Sequence, residues 1–246
     1  MARKLLAAFF SFFFFCSFSQ MAQDYADQVP QLKRYDAKDV VDSTYGITMY
    51  EKLSPLLGGD SVRYDKKGYN IQGWWEDYYK SGKLLHRGFY VDGQLRAYKN
   101  YYENGQMERI YRVTDNKHCE VFIYYTDGKI KSEVYYYNMV PNKQTDYFTN
   151  GNIDLQEESH GDNDYLIKRN TFYENGYALI IFELTDKRKK LYMHKEFYET
   201  GKIKEEGSLK FYDAKSDYVK EGEWKYYDET TKLIKTENYQ NGELRD

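Results

Sequence analysis

The sequence predicts an all-β protein: an elongated antiparallel meander of tandem β-hairpin repeats, about 23 residues each and seven in number, in a single twisted sheet. Three observations predict it. A motif of two aromatics, two spacers and a glycine recurs at near-constant spacing, the residues around the glycine are those of tight turns, and the stretches between glycines alternate in polarity.

The chain opens with Met1-Ala2-Arg3-Lys4, an apolar run from Leu5 to Phe15 broken only by Ser11, and small or polar residues through Gln20. That order is a basic region, an apolar region and a cleavage zone, so residues 1–19 are expected to be an export signal. The run is about half of the ~20 residues a membrane span needs, and no integral membrane span is expected. Cleavage after Ser19 and cleavage after Ala22 both satisfy the small-residue requirement. Cys16 is followed by Ser17, but Phe13-Phe14-Phe15 stand where a lipidation motif needs Leu and small residues. Once Cys16 is removed, Cys119 is the single thiol, so no intramolecular disulfide forms even in an oxidising compartment.

Residues 20–72 lack the repeat, and Pro55, Gly58 and Gly59 break any long element there. They are read as a cap over the first edge strand, which repeat arrays require.

The repeat domain is 73–246. Tyr78-Tyr79-Lys80-Ser81-Gly82, Tyr101-Tyr102-Glu103-Asn104-Gly105, Tyr124-Tyr125-Thr126-Asp127-Gly128 and Tyr147-Phe148-Thr149-Asn150-Gly151 place their glycines 23 residues apart. Phe172-Tyr173-Glu174-Asn175-Gly176 and Phe197-Tyr198-Glu199-Thr200-Gly201 follow at 25, and a degenerate Tyr226-Tyr227-Asp228-Glu229-Thr230-Thr231 closes the series. Asn-Gly and Asp-Gly predict two-residue turns with both central residues at φ > 0. Asp92-Gly93 and Asn241-Gly242 predict a second turn joining one hairpin to the next.

Alternation assigns faces. Cys119, Val121, Ile123 and Tyr125 share a parity, as do Ile130, Ser132, Val134 and Tyr136, and Met107, Arg109, Tyr111 and Val113. The second aromatic of each pair (Tyr79, Tyr102, Tyr125, Phe148, Tyr173, Tyr198, Tyr227) is expected in the core. The first, namely Tyr78, Tyr101, Tyr124, Tyr147, Phe172, Phe197 and Tyr226, is expected to line the opposite face as a candidate binding row. Such a row stabilises a sheet by cross-strand pairing and also suits recognition, because Tyr offers large contact area at low entropic cost. Polar stretches at 153–170 and 183–195 are expected to lengthen their units, and Lys210 to Gly222 to form an inserted loop.

Aromatic-aromatic-x-x-Gly-Lys hairpins with Asn-Gly or Asp-Gly turns resemble the variant MORN repeat. Behind an export signal, the chain is similar to bacterial repeat proteins of the YwqK-like antitoxin kind. The resemblance covers 73–246 and implies a non-enzymatic interaction module whose partner is another protein, with toxin neutralisation as a special case. Gly222-Glu223-Trp224 matches the eukaryotic Tyr-x-Gly-x-Trp pattern only in part, so phospholipid binding is not carried over. A second resemblance, to choline- or glucan-binding repeats, implies a cell-wall or glycan ligand. Those repeats hold ligands in Trp-rich cages, and this chain has three tryptophans.

Other chemistry is sparse in the sequence. With the export signal removed, 34 basic residues face 39 acidic ones, which argues against nucleic acid as a partner; Lys187-Arg188-Lys189-Lys190 reads as a solvated loop. His86, His118, His160 and His194 show no zinc-site spacing, so no metal site is expected. Asp162-Asn163-Asp164 opens like a calcium loop without its glycine and terminal Glu. Cys119 reads as a small buried hydrophobe. No nucleophile elbow, dinucleotide fingerprint or P-loop occurs, so no catalytic residue or cofactor is assigned, and a hydrolase is the weakest reading. The expected location is periplasmic or extracellular.

Overall fold

The computed structural model describes residues 64–245 apart from 66, 80, 139 and 162–164. The expected export signal, most of the expected cap and Asp162-Asn163-Asp164 lie outside the described residues. The chain runs through β1 (Gly73–Tyr78), β2 (Leu84–Val91), β3 (Gln94–Tyr101), β4 (Met107–Val113), β5 (His118–Tyr124), β6 (Ile130–Tyr137), β7 (Val140–Tyr147) and β8 (Ile153–Ser159). It continues through β9 (Leu166–Phe172), β10 (Ala178–Asp186), β11 (Leu191–Phe197), β12 (Ile203–Tyr212), β13 (Asp217–Tyr227), β14 (Leu233–Gln240) and the short β15 (Glu243–Arg245). Sheet order follows chain order from end to end, so the expected meander of seven hairpins is what forms, with β15 closing the series.

The hairpin turns differ from the expected two-residue form. Gly105 N–H donates to the Tyr102 carbonyl at 2.8 Å and Tyr102 N–H to the Gln106 carbonyl at 2.8 Å. Gly105 lies at φ 87°, whereas Asn104 is not in the left-handed region. This is a three-residue loop, a type I turn followed by a left-handed glycine. It recurs at Tyr125–Lys129, Phe148–Asn152, Tyr173–Tyr177 and Tyr198–Lys202. The residue before glycine instead braces the turn with its side chain. Asn104, Asp127, Asn150 and Asn175 each accept, through a side-chain oxygen, the N–H two residues on. The expected geometry with two positive φ values does occur between hairpins, at Asp92-Gly93 and Asn241-Gly242.

Each turn leaves a bulge in the same place. Ile123 pairs with Ser132 and Tyr124 with Ile130, so Lys131 is the extra residue; Glu108, Asp154, Leu179 and Lys204 take that position in the hairpins around Gly105, Gly151, Gly176 and Gly201. The last unit is displaced by one residue from its expected alignment. Thr231, at φ 70°, stands where the others have glycine, and the bulge falls between Tyr226 and Tyr227. Tyr227 therefore holds the first-aromatic position, Asp228 the second, and Tyr226 the preceding one.

Contacts group the chain into units up to Leu95 and from Arg96. In the first, Leu85 and Tyr90 are fully buried, and the Gly93 N–H donates to the carbonyl of buried Ile71 at 2.9 Å. In the second, the buried set is Tyr98, Tyr111, Cys119, Val121, Ile123, Val134, Tyr136, Leu155, Phe182, Tyr192 and Trp224, which follows the predicted parity. The second aromatics are not that core. They are half-buried at the strand ends, because their hydroxyls reach forward to the next repeat: Tyr102, Tyr125, Tyr173 and Tyr198 donate to the carbonyls of Tyr124, Tyr147, Phe197 and Tyr227.

The polar stretches at 153–170 and 183–195 are largely strand, in β8 to β11. Lys210 to Gly222 is no inserted loop either, since β12 and β13 extend to a tight turn with Phe211 paired to Tyr218. Tyr218 sits edge-on to Phe182 at 4.9 Å and to Tyr192 at 5.0 Å, and those two rings stack at 4.8 Å. That cluster holds the extension in the sheet. Gly207 opens the slot for Trp224: a Cβ there would lie 2.4 Å from the indole, whose N–H donates to the Ser208 carbonyl.

Candidate functional site

Tyr101, Tyr124, Tyr147, Phe172 and Phe197 all occupy the position just after the bulge. Each is paired across its hairpin with an apolar residue: Met107, Ile130, Ile153, Ala178 and Ile203 respectively. In the first unit Tyr78 has the same register, opposite Leu84. All six are half-buried. Within the second unit successive members are two strands apart, about 10 Å, beyond the range of ring stacking, so the row is not a stack. Charged groups share its face: the Tyr147 hydroxyl donates to Glu133 at 3.1 Å, and Tyr124 lies near both Glu133 and Arg112. The Arg112 guanidinium is bonded to Glu120. Tyr226 is not in this row; its hydroxyl faces Lys220, 2.8 Å away.

The opposite face carries a line of polar groups beside the bulges. Glu108 and Arg109, both buried, form an ion pair at 3.3 Å. Asp146 accepts from the Ser132 hydroxyl at 2.5 Å and from Gln144 at 2.7 Å; Glu157 is paired with Arg169 at 3.2 Å. Burial pushes the Glu108 carboxyl up against the opposing pull of Arg109, and it raises the carboxyls of Asp146, Asp154 and Glu157 for the same reason. It lowers the Lys131 ammonium, although Asp146 works against the shift. Cys119 is buried and its thiol pushed up, which disfavours the thiolate.

Near the C-terminus the same face gathers a different set. Glu196 and Glu205 stand directly opposite each other on β11 and β12, and His194 Nε2 lies 3.4 Å from Glu205 Oε1. Lys220 Nζ sits over the Trp224, Tyr226 and Tyr239 rings at 4.0, 5.0 and 5.4 Å.

The hairpin geometry has a sequence counterpart in known proteins. Residues 97–112, 117–138, 194–211 and 220–241 match the MORN repeat variant. No curated protein matches the chain. Each matched MORN-variant segment is one strand–turn–strand unit. The intervening hairpins β7–β8 and β9–β10 repeat the same turn bonds and bulge, so the MORN-like geometry continues where the sequence match does not. Among the described residues no helix is long and apolar enough to cross a membrane.

Sequence reasoning missed the Glu196–Glu205 pairing because ligand-spacing rules describe helices and loops. The turn register finds it: the residue before the first aromatic faces the fourth residue after the left-handed one, as Asn100 faces Arg109 and Tyr226 faces Lys235.

Proposed function

We propose that this chain is an exported, non-enzymatic repeat protein that binds or scaffolds another protein through the row Tyr101, Tyr124, Tyr147, Phe172 and Phe197. The observation that carries the reading is the row's regularity: one half-buried ring per hairpin, fixed by the bulge beside it, with Glu133 and Arg112 on the same face. An aromatic array with charges around it suits a protein interface, whose anchors are aromatic and whose rim is polar. The MORN-variant match supports the same class, since such repeats generally serve as binding modules. The opposite face holds most of the buried side chains, together with the Glu108–Arg109 and Glu157–Arg169 ion pairs.

The test is affinity capture by the parent chain and by a Tyr101→Ala/Tyr124→Ala variant from envelope fractions of the source cell. Retention of one protein by the parent and its loss from the folded variant is the expected result. Equal retention by both overturns the assignment of the surface, and retention of polysaccharide alone overturns the protein-binding reading in favour of a glycan module.

A further inference from the structure

We propose that His194, Glu196 and Glu205 form a site for a divalent transition-metal ion of the zinc type. One ligand atom from each of the three lies within 4.8 Å of those of the other two. The set is built by the hairpin rather than by a loop. His194 and Glu196 are two apart on β11 and point to one face, and the register of β11 with β12 brings Glu205 directly across from Glu196. All three side chains are partly buried, at 15%, 25% and 20% exposure, so little ordering accompanies capture of an ion.

Two features favour a cation here. Like charges directly opposite on a sheet repel, and Glu196 and Glu205 are so placed. The 3.4 Å between His194 Nε2 and Glu205 Oε1 is long for a hydrogen bond, yet it equals the separation of about 3.4 Å between two ligands bonded at about 2.1 Å to a tetrahedral ion. One imidazole and two carboxylates are borderline-hard donors that suit Zn2+ or Co2+, with a fourth position left for water.

Three lysines surround the set and define the competition. Lys204 Nζ binds Glu196 at 2.5 Å from a half-exposed side chain, so it is the cation an ion would displace. Lys220 is held over Trp224 and bonded to Tyr226, and Lys235 is bonded to Glu237. Both are engaged elsewhere.

The test is titration of the full chain with CoCl2, followed by visible absorption and by tryptophan emission, since the Trp224 ring lies 5.4 Å from His194. ZnCl2 competition gives the zinc affinity. One equivalent of bound Co2+ with d–d bands and quenched emission is expected, and Glu205→Gln and His194→Ala each weaken binding by at least about tenfold. Lys204→Ala tightens it by about two- to fivefold, the equivalent of an exposed ion pair. Because Lys204→Ala removes a competitor and leaves the core intact, its gain in affinity is not open to explanation by misfolding. No stoichiometric uptake, or uptake indifferent to both Glu205→Gln and Lys204→Ala, overturns the site.

Discussion

The Tyr102 hydroxyl donates a 2.7 Å hydrogen bond to the carbonyl of Tyr124, one repeat ahead. Tyr125, Tyr173 and Tyr198 do the same to Tyr147, Phe197 and Tyr227 at 2.5, 2.9 and 2.9 Å. The bulge leaves a backbone carbonyl outside the ladder, and the tyrosine of the preceding hairpin satisfies it. Phe148 breaks the series. Tyr125→Phe is therefore expected to lower stability by about 1 kcal/mol, and Phe148→Tyr, which aims a hydroxyl at the Phe172 carbonyl, to raise it by a similar amount. Denaturant midpoints at unchanged m-value check both.

A second set of bonds ties the turns. Where the residue before the left-handed one is Asn, its Nδ2 donates forward: Asn104 to Thr126, Asn150 to Glu174, Asn175 to Glu199. Where it is Asp or Thr, the lysine after the glycine does so instead, as Lys129 to Thr149 and Lys202 to Glu229. Asn175→Asp keeps its own turn and loses the forward bond, with an expected cost of about 0.5–1 kcal/mol. Adding Tyr177→Lys supplies the alternative donor and recovers most of it. Thermal unfolding of the single and double variants reads the difference.

Thr231 holds φ 70°, a conformation that a β-branched residue adopts with strain. Thr231→Gly is expected to stabilise the last hairpin by about 1 kcal/mol. Hydrogen exchange across β13 and β14 should slow in the variant, and faster exchange would contradict the strain.

Hairpin number, chain order and the parity of Cys119, Val121 and Ile123 follow from glycine spacing and alternation, which depend on local chemistry alone. The turn type does not, because Asn-Gly suits either a two-residue loop or a type I turn with a left-handed glycine. Strand twist and the bulge at Tyr124 select the second. The second aromatic drops out of the expected core for a related reason: it falls at the strand end beside the bulge, where in four hairpins its hydroxyl finds a carbonyl. Lys210 to Gly222 resembles a loop in sequence because its polar residues hide Phe211 and Tyr218, and the Tyr218 ring finds Phe182 and Tyr192 outside the segment. Glu196 and Glu205 become neighbours only once register is known.

Burial raises the Asp146 carboxyl above its ordinary 3.8, opposed by bonds from Ser132 and Gln144. The folded state then holds its proton more tightly than the unfolded chain, so stability falls as pH rises through the interval between 3.8 and the raised value, and is regained on acidification. Glu237, held down at about 2 by Lys235 and Tyr239, has the opposite sign, its contribution being lost as pH falls below 4.5. Asp146→Asn removes only the first effect. As pH falls from neutral towards the ordinary value of 3.8, the parent is expected to gain stability relative to the variant; a parent-to-variant difference that does not change with pH would contradict the assignment.

Whether the row after the bulge is the contact surface is decided by placing a photo-crosslinking residue at Tyr124, at Phe172 and, as a control, at exposed Glu103 in source cells. An adduct with one and the same protein is expected from Tyr124 and Phe172 and none from Glu103. Adducts that do not depend on position, or no protein adduct from either row residue, would contradict it.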